Sequence, residues 1–126
     1  MTAVAELVLI VDDNEQNAKL ARDVLERAGM RTLCASTAAL GLELARAHRP
    51  DLVLMDLRLP DLDGGEAVRR LAADERTATI PVLALSALRA EEAASWLHDA
   101  GFVGYVEKPI DVRELPVQVR RHLTPG

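Results

Sequence analysis

Four short stretches of the chain are nearly continuous apolar runs: Leu7–Val11, Leu52–Met55, Val82–Leu85 and Phe102–Val106. A strand with one wet face alternates apolar and polar residues, so runs that do not alternate belong to strands covered on both faces. Met30–Ala35 is a fifth and weaker stretch of the same kind. Between these runs the apolar period lengthens to about 3.6 residues. Asn17–Ala28 sets Leu20, Val24 and Leu25 on one side, and Ala38–Ala47 does so with Leu40 and Leu44. Glu66–Asp74 offers Val68 and Leu71, and Ala90–Ala100 offers Ala93, Trp96, Leu97 and Ala100. Strands and helices in strict alternation predict an α/β fold, a doubly wound parallel sheet with helices on both faces.

Helix punctuation agrees with this division. Asn14 can cap the first helix and either Ser36 or Thr37 the second. Gly29 and Gly101 stand where a helix ends on a left-handed residue. Pro50 and Pro81 fall just before strands, where they interrupt no central ladder. The last helix, in "DVRELPVQVRRHL", opens like a capping box with Asp111 and Glu114. Pro116 then conflicts with a helix running from that point, because it removes a backbone bond and crowds the preceding turn. Either the helix is kinked or it starts late with Pro116 in its first turn; the late start is the expectation.

The chain has 126 residues, which suits one domain over 1–126 with a core at about 5–123. With 49% apolar residues it can bury a substantial core. A net charge of −5, spread along the chain, argues against a nucleic-acid partner and against an anionic membrane surface. The opening "MTAVAELVLIVDDNE" has no basic region and an apolar run too short for a signal peptide or a membrane span. The lone Cys34 forms no internal disulfide and is expected to be buried, which fits a reducing, cytoplasmic setting. His48, His98 and His122 have no partners at metal-binding spacing and read as surface residues.

All strands of a parallel sheet end on one side, and the residues that follow them meet there. Asp12 and Asp13 follow the first strand, Asp56 the third and Ser86 the fourth, while Lys108 stands two residues past Val106. Open α/β sheets bind ligands beyond the carboxyl ends of their strands. Two carboxylates about 5 Å apart repel by roughly 3 kcal/mol at an effective dielectric near 20, so the acids require positive charge. Lys108 supplies one charge and a divalent cation would supply two more. Hard oxygen donors without His or Cys select Mg²⁺ or Mn²⁺. A carboxylate held rigidly at a strand tip beside such charges can attack phosphorus. The loop with Pro60 and Gly64 clears space above it, and a loop carbonyl can complete the metal shell.

These residues together give the sequence its likeness: it resembles the receiver domain of bacterial two-component response regulators, over about residues 5–123. The marks are the acidic pair in "VDDNE", Asp56 followed by Pro60 and Gly64, Ser86 in "ALSA", and Tyr105 three residues before Lys108–Pro109. The resemblance implies the flavodoxin-like receiver fold with strand order 2-1-3-4-5. It implies Asp56 as phosphoacceptor, Asp12, Asp13 and the backbone carbonyl of Arg58 as ligands of Mg²⁺ (or Mn²⁺), and Lys108 as the residue pairing with the phosphoryl group. The bond between Lys108 and Pro109 is often cis in this family. Ser86 and Tyr105 would form the switch pair. Arg58 and Leu88 would tune dephosphorylation, with a long phosphorylated lifetime expected from their bulk. The implied partners are a sensor histidine kinase or phosphotransfer protein and a downstream protein target, and the chain would catalyse only its own modification.

Other classes fit the residues less well. A dehalogenase-type phosphotransferase needs a second acid two residues after its nucleophile, where this chain has Arg58. A flavodoxin-like binding module needs a small, polar phosphate loop after the first strand, where "DDNEQN" would repel a phosphate. A degenerate receiver would lack one of the key positions, and all are filled. The expectation is a stand-alone receiver, or one cut from a longer regulator near "TPG".

Overall fold

A computed structural model of the chain describes residues 5–87 and 97–123. Leu88 and Trp96 lie outside the described residues, so the tuning role expected of Leu88 has no structural counterpart here. Five strands run β1 (Leu7–Val11), β2 (Arg31–Ala35), β3 (Leu52–Asp56), β4 (Val82–Ser86) and β5 (Gly104–Glu107). The helices are α1 (Glu15–Arg27), α2 (Ala38–His48), α3 (Gly64–Ala73), α4 (helical at residues 97–100) and α5 (Glu114–His122). All neighbouring strands are parallel, in the order β2-β1-β3-β4-β5.

The nearly continuous apolar runs have a simple cause. Successive side chains of a strand point to opposite faces, and each face here feeds its own core layer. Val8, Ile10, Leu52, Leu54, Leu83 and Leu85 pack with Ala21 and Leu25 of α1 and with Leu115 and Val119 of α5. Leu9, Val11, Val53, Met55, Val82 and Ala84 pack with Leu42 of α2, Val68 and Leu71 of α3, and Leu97 of α4. Each of the fully buried leucines and isoleucines contributes roughly 1.5–3 kcal/mol. This burial fixes the height of every strand tip on the sheet.

The helix ends follow the local chemistry. Asn14 caps α1 by accepting from the Asn17 N–H at 3.0 Å, so the helix starts two residues before the expected Asn17. Thr37, of the two candidates, caps α2 through the Leu40 N–H at 3.1 Å. Asp63 caps α3 through the Glu66 N–H at 2.9 Å and moves its start to Gly64. The Asp111 carboxylate accepts from Arg113 and Glu114, and Pro116 is the third residue of α5, so the helix does start late. Gly29 and Gly101 take positive φ as expected; α2 ends instead on Arg49 at φ 45°, directly before Pro50.

Other expectations need correction: Leu20 and Leu40, set on the apolar sides of α1 and α2, are exposed. The fifth strand starts at Gly104 rather than Phe102, because the Phe102 amide closes α4 by donating to the Leu97 carbonyl at 3.0 Å. Cys34 is exposed, since β2 is an edge strand with only Ala35 buried. His122 is half-buried and its ring lies over Gly104, where a Cβ would come within 2.9 Å of Nε2.

Candidate functional site

The sheet brings the expected polar residues to one edge. Asp12, Asp56 and Ser86 are buried at or just past the ends of β1, β3 and β4, with 2%, 5% and 3% of their surface exposed. Asp13, beside Asp12, is exposed. Carboxylate oxygens of Asp12, Asp13 and Asp56 all lie within 4.8 Å of one another. Lys108 follows β5; its backbone N–H donates to the Ser86 carbonyl at 2.8 Å, which ties the loop to the tip of β4. The peptide bond between Lys108 and Pro109 is cis.

Asp56 is held at both oxygens. Oδ1 accepts the Arg58 N–H at 3.0 Å and Oδ2 accepts Lys108 Nζ at 3.0 Å. The next residue is fixed as well, because the Leu57 N–H donates to the Leu85 carbonyl of β4 at 3.2 Å. Asp12 is held at one oxygen only. Its Oδ1 accepts the Asn14 N–H at 2.9 Å, while its buried Oδ2 has no hydrogen-bond partner among the described residues and lies 3.7 Å from Lys108 Nζ. A buried carboxylate oxygen without a donor is costly. Burial raises the Asp12 pKa above 3.8, and the negative charge of Asp56 adds to the rise against the Asn14 N–H and Lys108.

The sign of that shift gives a measurable result. The folded protein binds the Asp12 proton more tightly than the unfolded chain does. Ionised Asp12 therefore costs stability above its folded pKa, and the cost fades as pH falls toward 3.8. In metal-free buffer, Asp12→Asn should be more stable than wild type at pH 7 by on the order of 1 kcal/mol. Its advantage should vanish on acidification, as read by denaturant unfolding across pH. A pH-independent difference would contradict this origin.

Asp13, Asp56, Arg58, Ser86 and Lys108 line an open cavity of about 660 Å³; Asp12 is not part of its wall. Tyr105 stands apart from that wall, half-buried against the core layer of α3 and α4. The register pairs it with Ala84, and Ser86 points to the same face one pair nearer the strand tip. Asp13, Asp56, Arg58, Ser86 and Lys108 thus meet at one cavity, while Tyr105 lies outside its wall and Leu88 outside the described residues.

The structure gives Gly64 a cause other than the cleared space expected from the sequence, and it gives Asp61 a part that the sequence did not suggest. Gly64 packs so closely that a Cβ there would lie 3.0 Å from the Asp56 carbonyl oxygen and 3.0 Å from Leu57 Cα. Asp61, in the loop after β3, caps α2 from a distance of more than twenty residues: its carboxylate accepts from Ala38 and Ala39, each at 2.9 Å. The signal available for Asp61 was an acid that no local helix start required.

A parallel five-stranded sheet with three acids and a lysine at its carboxyl edge defines a class, and the comparisons agree with it. Residues 8–120 match the family model for the response regulator receiver domain, and the chain belongs to that family. It is 38% identical over 116 residues to the polar-differentiation response regulator DivK of Brucella anthropi, which covers 92% of this chain and 94% of the relative. The DivK of Brucella ovis matches equally, at 38% over the same length. Among solved structures, the chemotaxis response regulator CheY4 of Vibrio cholerae superposes with a TM-score of 0.90 over 95% of this chain and all of its own, at 24% identity. The receiver domain of the sensor histidine kinase PA1611 of Pseudomonas aeruginosa does so at 0.85 and 30% identity, covering 94% of this chain and 98% of its own. That structure holds a magnesium ion in its active-site cleft. The chain is thus a receiver domain of the kind used in two-component signalling. No helix among the described residues is long and apolar enough to cross a membrane.

Proposed function

We propose that this receiver accepts a phosphoryl group on Asp56, in a reaction that depends on Mg²⁺, from a sensor histidine kinase or phosphotransfer protein in the cytoplasm. The observation that carries the reading is the Asp56 carboxylate itself. It is pinned at a rigid strand tip by one backbone N–H and one lysine, and it faces two further acids. Three carboxylates and one lysine leave an excess of two negative charges (3 − 1 = 2), and one divalent cation balances them. The buried Asp12 Oδ2, which accepts no hydrogen bond among the described residues and has Lys108 Nζ at 3.7 Å, is the strongest single sign that these residues fit a cation. Asp12, Asp13 and the backbone carbonyl of Arg58 would hold it. An all-oxygen set suits Mg²⁺, with Mn²⁺ as a substitute. When bound, the cation would offset negative charge on the incoming phosphoryl oxygens.

The remaining roles fall to the chain. An Asp56 oxygen attacks phosphorus, and the P–N bond of the donor phosphohistidine breaks as the acyl phosphate forms. Lys108 leaves the carboxylate and follows the phosphoryl oxygens, a contact that exists in one state only. The Ser86 hydroxyl donates to another of those oxygens. Tyr105 turns inward behind it and changes the surface presented to a downstream protein. Arg58 stands at the cavity wall, where its length hinders attacking water and prolongs the phosphorylated state. Incubation with acetyl phosphate tests the core of this reading by intact mass. Wild type should gain one phosphoryl group when Mg²⁺ is present and none in EDTA, Asp56→Asn should gain none, and the decay of the product measures the effect of Arg58. An unmodified wild type, or a modified Asp56→Asn, would refute it.

A further inference from the structure

We propose that Asp61 is a positioning residue that sets the affinity of the site for its divalent cation by tying the loop after β3 to the N-terminus of α2. The inference rests on the reading of the site just given, since it concerns the loop that carries the Arg58 carbonyl.

The geometry is that of a two-point clamp. A helix begins with N–H groups that have no partner inside it. In α2, Thr37 meets the N–H of Leu40, and the two oxygens of Asp61 meet those of Ala38 and Ala39. An anion at this end also gains from the helix dipole. The bonds from Ala39 and Ala38 hold the Asp61 carboxyl below the usual aspartate range, so it stays charged across the physiological range.

The rest of the loop explains why this clamp matters to the site. Near β3 its tethers are the bonds from Leu57 N–H to Leu85 and from Arg58 N–H to Asp56. Near α3 they are the Asp63 cap and the bond from the Gly64 N–H back to the Leu57 carbonyl. Between these ends run Leu59, Pro60, Asp61 and Leu62, on a stretch where proline leaves one amide fewer to bond. Leu59 and Leu62 pack on the core, but a contact between apolar side chains does not fix backbone direction as a hydrogen bond does. Asp61 supplies the directed contacts, and it fastens to a helix rather than to the loop itself. A metal shell that borrows a carbonyl from this loop requires the loop to be held before the ion arrives. Groups that orient a metal's ligands without touching it typically govern affinity by about 10–100-fold.

The test compares metal affinity with loop order and with stability in three variants. Asp61→Ala removes both bonds, Asp61→Asn keeps an oxygen for one of them, and Thr37→Ala weakens the same helix end without touching the loop. Mn²⁺ binding is followed by EPR, with Mg²⁺ as competitor, and amide exchange at Arg58 is measured in metal-free protein. Asp61→Ala should bind both ions about 10-fold more weakly. Asp61→Asn should fall between it and wild type, and Arg58 should exchange faster in both. Thr37→Ala should lose thermal stability while its metal affinity stays within about 2-fold of wild type. The inference is overturned if Asp61→Ala keeps wild-type affinity and Arg58 exchange, or if Thr37→Ala loses as much affinity as Asp61→Ala. A wild type that binds neither ion would overturn the reading of the site as well, and unchanged Arg58 exchange in Asp61→Ala would show the clamp itself to be absent.

Discussion

Lys108→Met should phosphorylate far more slowly than wild type and yet bind Mg²⁺ more tightly. The two effects have opposite signs because Lys108 is a cation in contact with both Asp56, at 3.0 Å, and Asp12, at 3.7 Å. In the proposed reaction the lysine would act as an electrostatic clamp on the phosphoryl group, and loss of one such donor typically costs about 100–1,000-fold in rate. Toward a metal it is a competitor of like charge in the same acidic pocket, so its removal should raise affinity several-fold, by about the Coulomb energy of a nearby unit charge screened by water. The apo protein should also lose about 2 kcal/mol, since two buried carboxylates lose their counter-charge; the opening of the cavity to water keeps the loss at the low end of the usual range. Lys108→Arg should recover part of the rate only, because a planar fork cannot occupy the position of a compact ammonium. Acetyl phosphate kinetics beside a Mg²⁺ titration of each variant make the measurement. A parallel fall in rate and metal affinity would show that the substitution merely disorders the site.

Gly64→Ala should impair phosphorylation by about 100-fold while Gly65→Ala, one residue on, leaves it nearly unchanged. A Cβ at Gly64 would meet the Asp56 carbonyl oxygen and Leu57 Cα, both at 3.0 Å and both backbone. Neither can move without moving Asp56, the proposed phosphoacceptor, and the cost should be about 1–3 kcal/mol of stability as for other overpacked sites. At Gly65 the nearest atoms are Asp63 Oδ1, the α3 cap oxygen, at 3.1 Å and Arg69 Nη1 at 3.7 Å; both are side-chain atoms remote from the Asp56 backbone, and a shift of a few tenths of an ångström accommodates the methyl group. The pair of variants separates a steric effect on Asp56 from a general weakening of the first turn of α3. Equal losses in both would place the cause in the helix and not in the phosphoacceptor.

These results bear on how much of the molecule its sequence reveals. The strands were legible because each feeds two core layers, which leaves an unbroken apolar run at Leu52–Met55 and Val82–Leu85. The weaker run at Met30–Ala35 marks a strand that ended at an edge of the sheet with little burial, and the same edge exposes Cys34. The polar cluster was legible from chain order alone, since parallel strands must deliver Asp12, Asp56, Ser86 and Lys108 to one side. Two kinds of information were not. The start of β5 depends on which group takes the Phe102 amide, and that is settled by the end of α4. The part played by Asp61 depends on the meeting of a loop with a helix N-terminus 22 and 23 residues away, a relation that no local spacing encodes. Gly64 lies between these cases: its place in the motif was visible, but its cause, a backbone contact with Asp56, needed the packed structure.

The most direct test of the central claim is to locate the phosphoryl group chemically. Borohydride reduces an aspartyl phosphate to homoserine, which peptide mass spectrometry then places in the sequence. After treatment with acetyl phosphate and Mg²⁺, wild type should carry homoserine at position 56 and at no other acid. Homoserine at position 12 or 13, or none in a sample that has gained a phosphoryl group, would contradict the assignment of Asp56 as the phosphoacceptor.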